Sequence, residues 1–179
     1  MRSADGCGKM VVGGREQTKL PRHNFESMGK AMNWDEYFLQ LANCIALKSK
    51  DRSVRVGSVI VGPNKEVRST GYNGLPRWAN DSIDERFERP LKVFWSEHAE
   101  RNAIYNAALC GVSTKDCTMY LSQGPNPCAD CARAIVQAGI ECLVGLDKDF
   151  PTSANWKESI EQAAIILREC GVRVKRIAV

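Results

Sequence analysis

Apolar side chains recur at Trp34, Tyr37, Phe38, Leu41, Ala42 and Ile45, the three-and-four spacing of an amphipathic helix, with Asn33 placed to cap it. The pattern then changes period. Val54 to Val61 is β-branched and apolar, Gly62-Pro63-Asn64-Lys65 punctuates it, and Val67 to Tyr72 follows, which predicts an antiparallel hairpin. From Asn73 to Pro90 the chain is polar and carries two prolines, so a long loop is expected, and loops of that length in compact domains are functional lids or disordered. Glu97 to Leu109 reads as a helix stopped by Gly111, and Thr118 to Leu121 as a short strand. Cys128 to Ala138 reads as a helix closed by Gly139, and Cys142 to Leu146 as a strand. Ser159 to Cys170 is a last long helix ending at Gly171, before a final strand from Val172 to Ile177. Strands separated by single helices favour parallel pairing, so the order predicts a three-layer α/β/α sandwich around a mixed five-stranded sheet.

The segment from Met1 to Ala31 has no periodic apolar face and is rich in Gly, Lys and Arg, which predicts a flexible extension ahead of one folded domain over 32–179. It holds no apolar stretch of the kind a signal peptide needs, and no run in the chain approaches the ~18 residues that cross a bilayer. Of the eight cysteines, Cys44, Cys110, Cys117, Cys142 and Cys170 sit in apolar segments as small hydrophobes, and Cys7 lies in the extension. Their use points to a reducing, cytoplasmic compartment. The net charge of +4 suits anionic small molecules, but the basic residues are scattered and form no stripe for a polynucleotide.

Chemistry concentrates in two short segments, His98-Ala99-Glu100 and Pro127-Cys128-Ala129-Asp130-Cys131. Together they offer one nitrogen and two sulfurs, and three protein ligands leave a tetrahedral Zn2+ with an open position for water. Each segment opens a predicted helix. Residues two apart on a helix point about 200° away from each other, so His98 and Glu100 can share a target only from the first turn. The partial positive charge of a helix start favours the thiolates that zinc requires of Cys128 and Cys131. Glu100 is the candidate catalytic acid/base, serving both the water and the departing amine. A structural zinc site would need a fourth protein ligand, and His23, the only other histidine, lies in the extension.

His-x-Glu followed by Pro-Cys-x-x-Cys is the signature of zinc-dependent nucleobase deaminases. With Gly71-Tyr72-Asn73-Gly74 and His98-Ala99-Glu100-Arg101-Asn102-Ala103-Ile104 added, the chain resembles the deoxycytidylate (dCMP) deaminases from about Met32 to Ile177. Met32 to Phe38, Val56 to Val61 and Ala134 to Ile140 are similar to segments of the same family. The resemblance implies a cytidine deaminase-like fold, hydrolysis of dCMP to dUMP and ammonia, a homohexamer in many members, and dCTP and dTTP as effectors. It also implies that Asn73 contacts the nucleotide sugar, the alternative being a turn residue in a left-handed conformation. Asn102 either shapes the pocket or bonds along its own helix.

The segment Leu121 to Asn126 is about two residues longer than the family pattern, which puts base specificity in question. The stretch from Asn73 to Glu97 has no Cys or His, so the second zinc of some viral relatives has no ligands there. Lys50, Arg52 and Arg55, with Lys48, form a basic cluster that either holds a 5′-phosphate or is a solvated helix end. For Trp78, Phe94 and Trp95 core packing is the expected role rather than base stacking. Other deaminases remain alternatives, acting on a nucleoside, a free base such as guanine or a modified nucleotide. A non-catalytic zinc-bound nucleotide sensor is the alternative outside enzymes, and Glu100 argues against it.

Overall fold

Asn33 accepts the amide hydrogen of Glu36 at 3.0 Å, so α1 (Trp34–Ala46) starts at the expected cap. The computed structural model describes residues 31–148 and 154–178, so the predicted extension, apart from Ala31, lies outside the described residues. Five strands follow in the predicted order: β1 (Gly57–Val61), β2 (Val67–Tyr72), β3 (Thr118–Leu121), β4 (Cys142–Leu146) and β5 (Arg173–Ile177). They form one sheet with the spatial order β2-β1-β3-β4-β5, antiparallel at β2-β1 and β1-β3 and parallel at β3-β4 and β4-β5. The mixed sheet stands as expected.

Between β2 and β3 the chain makes a 3-10 turn (Asp84–Phe87), a short α2 (Lys92–Trp95) and α3 (Ala99–Leu109). α4 (Ala129–Gln137) and α5 (Ala154–Glu169) are the crossovers on either side of β4. α1 covers one face through Phe38, Leu39 and Ala42 against Val59, Val61, Tyr120 and Val144. α3, α4 and α5 cover the other, where Ala103, Ile135, Ala163 and Leu167 pack on Ile60, Met119, Leu121 and Leu143. Two glycines set how closely helices lie on the sheet. A Cβ on Gly57 would stand 2.1 Å from the Ala42 carbonyl oxygen, and one on Gly71 would stand 2.3 Å from the Ala103 nitrogen and 2.5 Å from the Ala99 oxygen. Backbone meets backbone at both points, and only glycine leaves the room.

Several expectations need correction. β1 begins at Gly57 instead of Val54, because the Val54 and Val56 amides donate to the side chains of Asp51 and Asn73 instead of to a neighbouring strand. α5 starts at Ala154 instead of Ser159; its first turn is Ala154-Asn155-Trp156-Lys157, whose two apolar residues are two apart and off the helical spacing, so apolar periodicity cannot reveal it. Cys117 and Cys142 are buried as read, but Cys44, Cys110 and Cys170 are exposed at helix surfaces and ends. Trp78 and Phe94 are not in the core: they are 98% and 82% exposed. Trp95 is partly buried, with the Arg86 guanidinium 3.8 Å from its ring centre.

Candidate metal centre

Two helix starts meet at the end of the sheet where β1 begins and β3 finishes. His98 is the N-cap residue of α3 and Cys128 that of α4, and neither side chain caps its own helix. Extended backbone at both caps turns the side chains forward, beyond the helix ends. His98 Nδ1 lies 3.4 Å from Cys128 Sγ and 3.3 Å from Cys131 Sγ, and the three donor atoms all fall within 4.8 Å of one another. Tetrahedral zinc with its usual bond lengths separates such nitrogen and sulfur ligands by about 3.5 Å, so the donor set and its spacing fit zinc. Among the described residues, this is the group of His, Cys, Asp and Glu side chains placed to hold a metal.

The donors are electrostatically coupled. A hydrogen bond from Cys131 holds the Cys128 thiol down at about 4, against burial, with further help from His98. The same hydrogen bond, with burial, pushes the Cys131 thiol well up. His98 rises to about 9, chiefly through its hydrogen bond with Cys128, although burial opposes this. Zinc binding reverses that logic locally, since a coordinating thiol is deprotonated outright.

Glu100 is buried on the first turn of α3, as the two-residue offset from His98 requires. Burial pushes its carboxyl above the ordinary range, outweighing the positive charge on His98 and a bond to its own backbone. A carboxyl placed beside the three donors can accept a proton and return it.

Neighbouring charges tie the two half-motifs together. Glu97 accepts the His98 amide hydrogen at 2.8 Å and pairs with Arg101 at 2.6 Å, and Arg101 reaches Asp130 of α4 at 3.8 Å. Two contributors have no signature in the sequence, because both come from α5. The Trp156 ring lies 5.6 Å from the His98 ring, and the Ser159 hydroxyl accepts the Ala129 amide hydrogen at 3.0 Å. Only the folding of α5 beside α4 brings them in.

The remaining candidates are placed as follows. Asn73 accepts from the Val56 amide at 2.8 Å and donates to the Val54 carbonyl at 2.9 Å, which stitches the entry to β1. It is not among the residues with positive φ, so the left-handed turn reading does not hold. Asn102 donates to the Tyr72 carbonyl at 2.8 Å, bonding across to the edge strand and not along its own helix. Lys50 pairs with Asp81 and Arg52 with Asp84, so carboxylates of the 73–90 loop neutralise two of the three cations considered for phosphate. Arg55 is exposed. The long segment after β3 folds back on β4 and β5: the Leu146 amide of β4 donates to the Gln123 carbonyl at 3.0 Å, and Asn126 accepts from Arg176 of β5 at 2.6 Å. A groove of about 480 Å³ opens between Pro125, Pro127, α5 and β5, but neither the metal ligands nor Glu100 line it.

Comparison with known proteins agrees with this geometry. Residues 32–146 match the family described as the cytidine and deoxycytidylate deaminase zinc-binding region. The chain is 33% identical to mouse (Mus musculus) deoxycytidylate deaminase over 150 residues, covering 81% of this chain and 80% of that one. It is also 33% identical over 141 residues to an uncharacterized deaminase of Aliivibrio fischeri, covering 79% and 91%. The crystal structure of a dCMP deaminase from the cyanophage S-TIM5 in complex with dCMP and dUMP shares the fold, with a TM-score of 0.63 at 22% identity over 79% of this chain and 95% of that one. Three metal donors at zinc spacing on two converging helix starts, within a matching family segment, lead to one assignment: the chain belongs to the cytidine and deoxycytidylate deaminase family of zinc-dependent hydrolases.

Proposed function

We propose that the protein hydrolyses dCMP to dUMP and ammonia. The observation that carries the reading is the likeness to proteins named deoxycytidylate deaminase, which extends over some four-fifths of the chain and takes in the whole metal centre. His98, Cys128 and Cys131 would hold the zinc, which when bound supplies an acidified water near neutral pH. Glu100 takes a proton from the attacking water and delivers it to the ring nitrogen beside the carbon under attack. The water oxygen bonds to that carbon, and Glu100 then takes the remaining proton from the added hydroxyl and passes it to the amine, so that the C=O forms as the C–N bond breaks and ammonia leaves. One carboxylate serves both transfers because the first turn of α3 holds it beside the metal ligands. Asn73 is the proposed sugar contact and Asn102 a residue proposed to shape the pocket; Asn73 has hydrogen-bonding capacity left beyond one accepted and one donated backbone bond, and Asn102 beyond one donated bond.

The pairing of Lys50 and Arg52 with loop carboxylates favours a second reading, a deaminase acting on the nucleoside. Ammonia release from dCMP, deoxycytidine, cytosine and guanine by the zinc-loaded protein separates the two. The nucleotide reading expects dCMP to exceed deoxycytidine by on the order of 10²-fold in kcat/KM, as two charged hydrogen bonds to phosphate predict. Equal rates on the two would remove the phosphate site, and turnover of guanine alone would remove the pyrimidine reading. Repeating the assay with dCTP and dTTP, alongside a measurement of mass in solution, tests the effectors and the homo-oligomer.

A further inference from the structure

Ser58 is the second residue of β1 and is fully enclosed, at 0% exposure. Its Oγ is the buried side-chain polar atom that finds no hydrogen-bond partner among the described residues. Buried hydroxyls are nearly always bonded, and an orphan in a well-packed sheet calls for an explanation. Other buried serines of the same region conform: Ser69 donates to the Ala103 carbonyl at 2.7 Å, and Ser122 accepts from the Gly57 amide at 2.9 Å.

The register shows where this hydroxyl stands. Ser58 pairs with Gly71 on β2 and with Leu121 on β3, and residues directly opposite in an antiparallel pair point to the same face. At Gly71 that face is filled by the first turn of α3, since a Cβ there would meet the Ala99 oxygen and the Ala103 nitrogen. Leu121 packs in the same layer with Ala103 and Ala132, and β3 ends there before the chain runs on to Cys128. Ser58 therefore lies beneath the first turn of α3, the turn that carries Glu100, and beside the strand end that leads to the cysteines.

We propose that Ser58 is a positioning residue for Glu100, its hydroxyl, unbonded among the described residues, turning to donate to the carboxylate while that group exchanges protons with water and substrate. A carboxylate on a three-torsion side chain needs a fixed partner if one oxygen is to face the water and then the ring. A serine on a sheet strand is rigidly placed and supplies one O–H for the purpose. The inference rests on Glu100 as the proton carrier.

The test compares zinc-loaded wild type, Ser58→Ala, Ser58→Cys, Glu100→Gln and the Ser58→Ala/Glu100→Gln double variant on the best substrate found in the ammonia screen. Ser58→Ala is expected to keep its zinc and its KM and to lose about tenfold in kcat, the effect of one hydrogen bond. Ser58→Cys, close in shape with a weaker donor, is expected to fall between it and wild type. In the Glu100→Gln background the alanine change is expected to add no further loss, because its target is gone. A Ser58→Ala protein with wild-type kcat, or a full additional loss in the double variant, overturns the inference and leaves Glu100 untouched. Wild-type turnover by Glu100→Gln overturns both.

Discussion

The amide of Ala129, the first residue of α4, donates to the hydroxyl of Ser159 on α5 at 3.0 Å. The N-cap position ahead of it is Cys128, whose side chain makes no capping bond because its sulfur faces Cys131 and His98. Metal ligation and helix capping compete for the same side chain, and α5 supplies the missing acceptor. The helix start that presents two of the three zinc donors is thereby anchored from outside itself.

Replacing Ser159 with alanine removes that acceptor. The expected outcome is a loss of about 1 kcal/mol in stability, the usual effect of losing a cap, together with faster release of zinc to a chelator. The kcat of fully loaded protein should change little. Denaturant melts and a chelator time course measure both effects.

Elemental analysis should find one zinc per chain, and changing His98, Cys128 or Cys131 to alanine should abolish it, since three donors at 3.3–3.4 Å nitrogen–sulfur spacing form the group. Glu100→Gln should retain zinc and lose roughly 10²–10⁴-fold in kcat, the range for removing an acid/base group. Two zincs per chain, or metal loss in the glutamine variant, would contradict the assignment of roles.

Gly71→Ala places a methyl group against the backbone of α3, 2.3 Å from the Ala103 nitrogen. The helix must lift from the sheet or the strand must bend, which is expected to destabilise the fold by roughly 1–3 kcal/mol. Because α3 carries His98 and Glu100, turnover should fall as well, even at temperatures where the variant is folded. Thermal melts and a rate assay well below Tm distinguish the two effects.

Asp51 offers a pH-dependent prediction. Burial pushes its carboxyl up, but hydrogen bonds from Lys92 and from Val54 and Ser53 outweigh this and hold it below the usual range. A group whose folded value lies below its unfolded value, roughly 3.9 for aspartate, contributes stability that is fully present above that pH. The contribution fades as pH falls below ~3.9 toward the lowered value. Asp51→Asn should therefore lower stability at pH 7 by about 1–3 kcal/mol. The gap between variant and wild type should narrow on acidification below pH ~4, as denaturant melts across pH would reveal.

Elements whose signal is local were legible. Asn33, Gly111, Gly139 and Gly171 marked helix ends where the structure has them, and β3 and β4 carry the predicted bounds because alternation and turn residues act within a few positions. The zinc donors were legible for a related reason: ligand chemistry restricts residue type so strongly that His, Cys and Cys at helix starts have few other readings. Trp78 in the polar loop and Phe94 on the one-turn α2 misled, since a lone aromatic side chain carries no local mark of whether anything covers it.

By itself the sequence determined the order of the five strands and four longer helices, the mixed sheet and the metal donors, all of which follow from residue type and short-range spacing. Among the described elements it missed only the short turn and helix at Asp84–Phe87 and Lys92–Trp95. Tertiary structure decided what distant segments do to one another. It brought Trp156 and Ser159 of α5 to the metal helices, paired Lys50 and Arg52 with Asp81 and Asp84, and turned Asn73 onto the backbone of Val54 and Val56. It also left Ser58 beneath α3 without a hydrogen-bond partner among the described residues. Periodicity reports which face of an element is apolar, but which polar group meets which is settled only when the elements pack, because hydrogen bonds and ion pairs depend on ångström-scale distances that no spacing along the chain encodes.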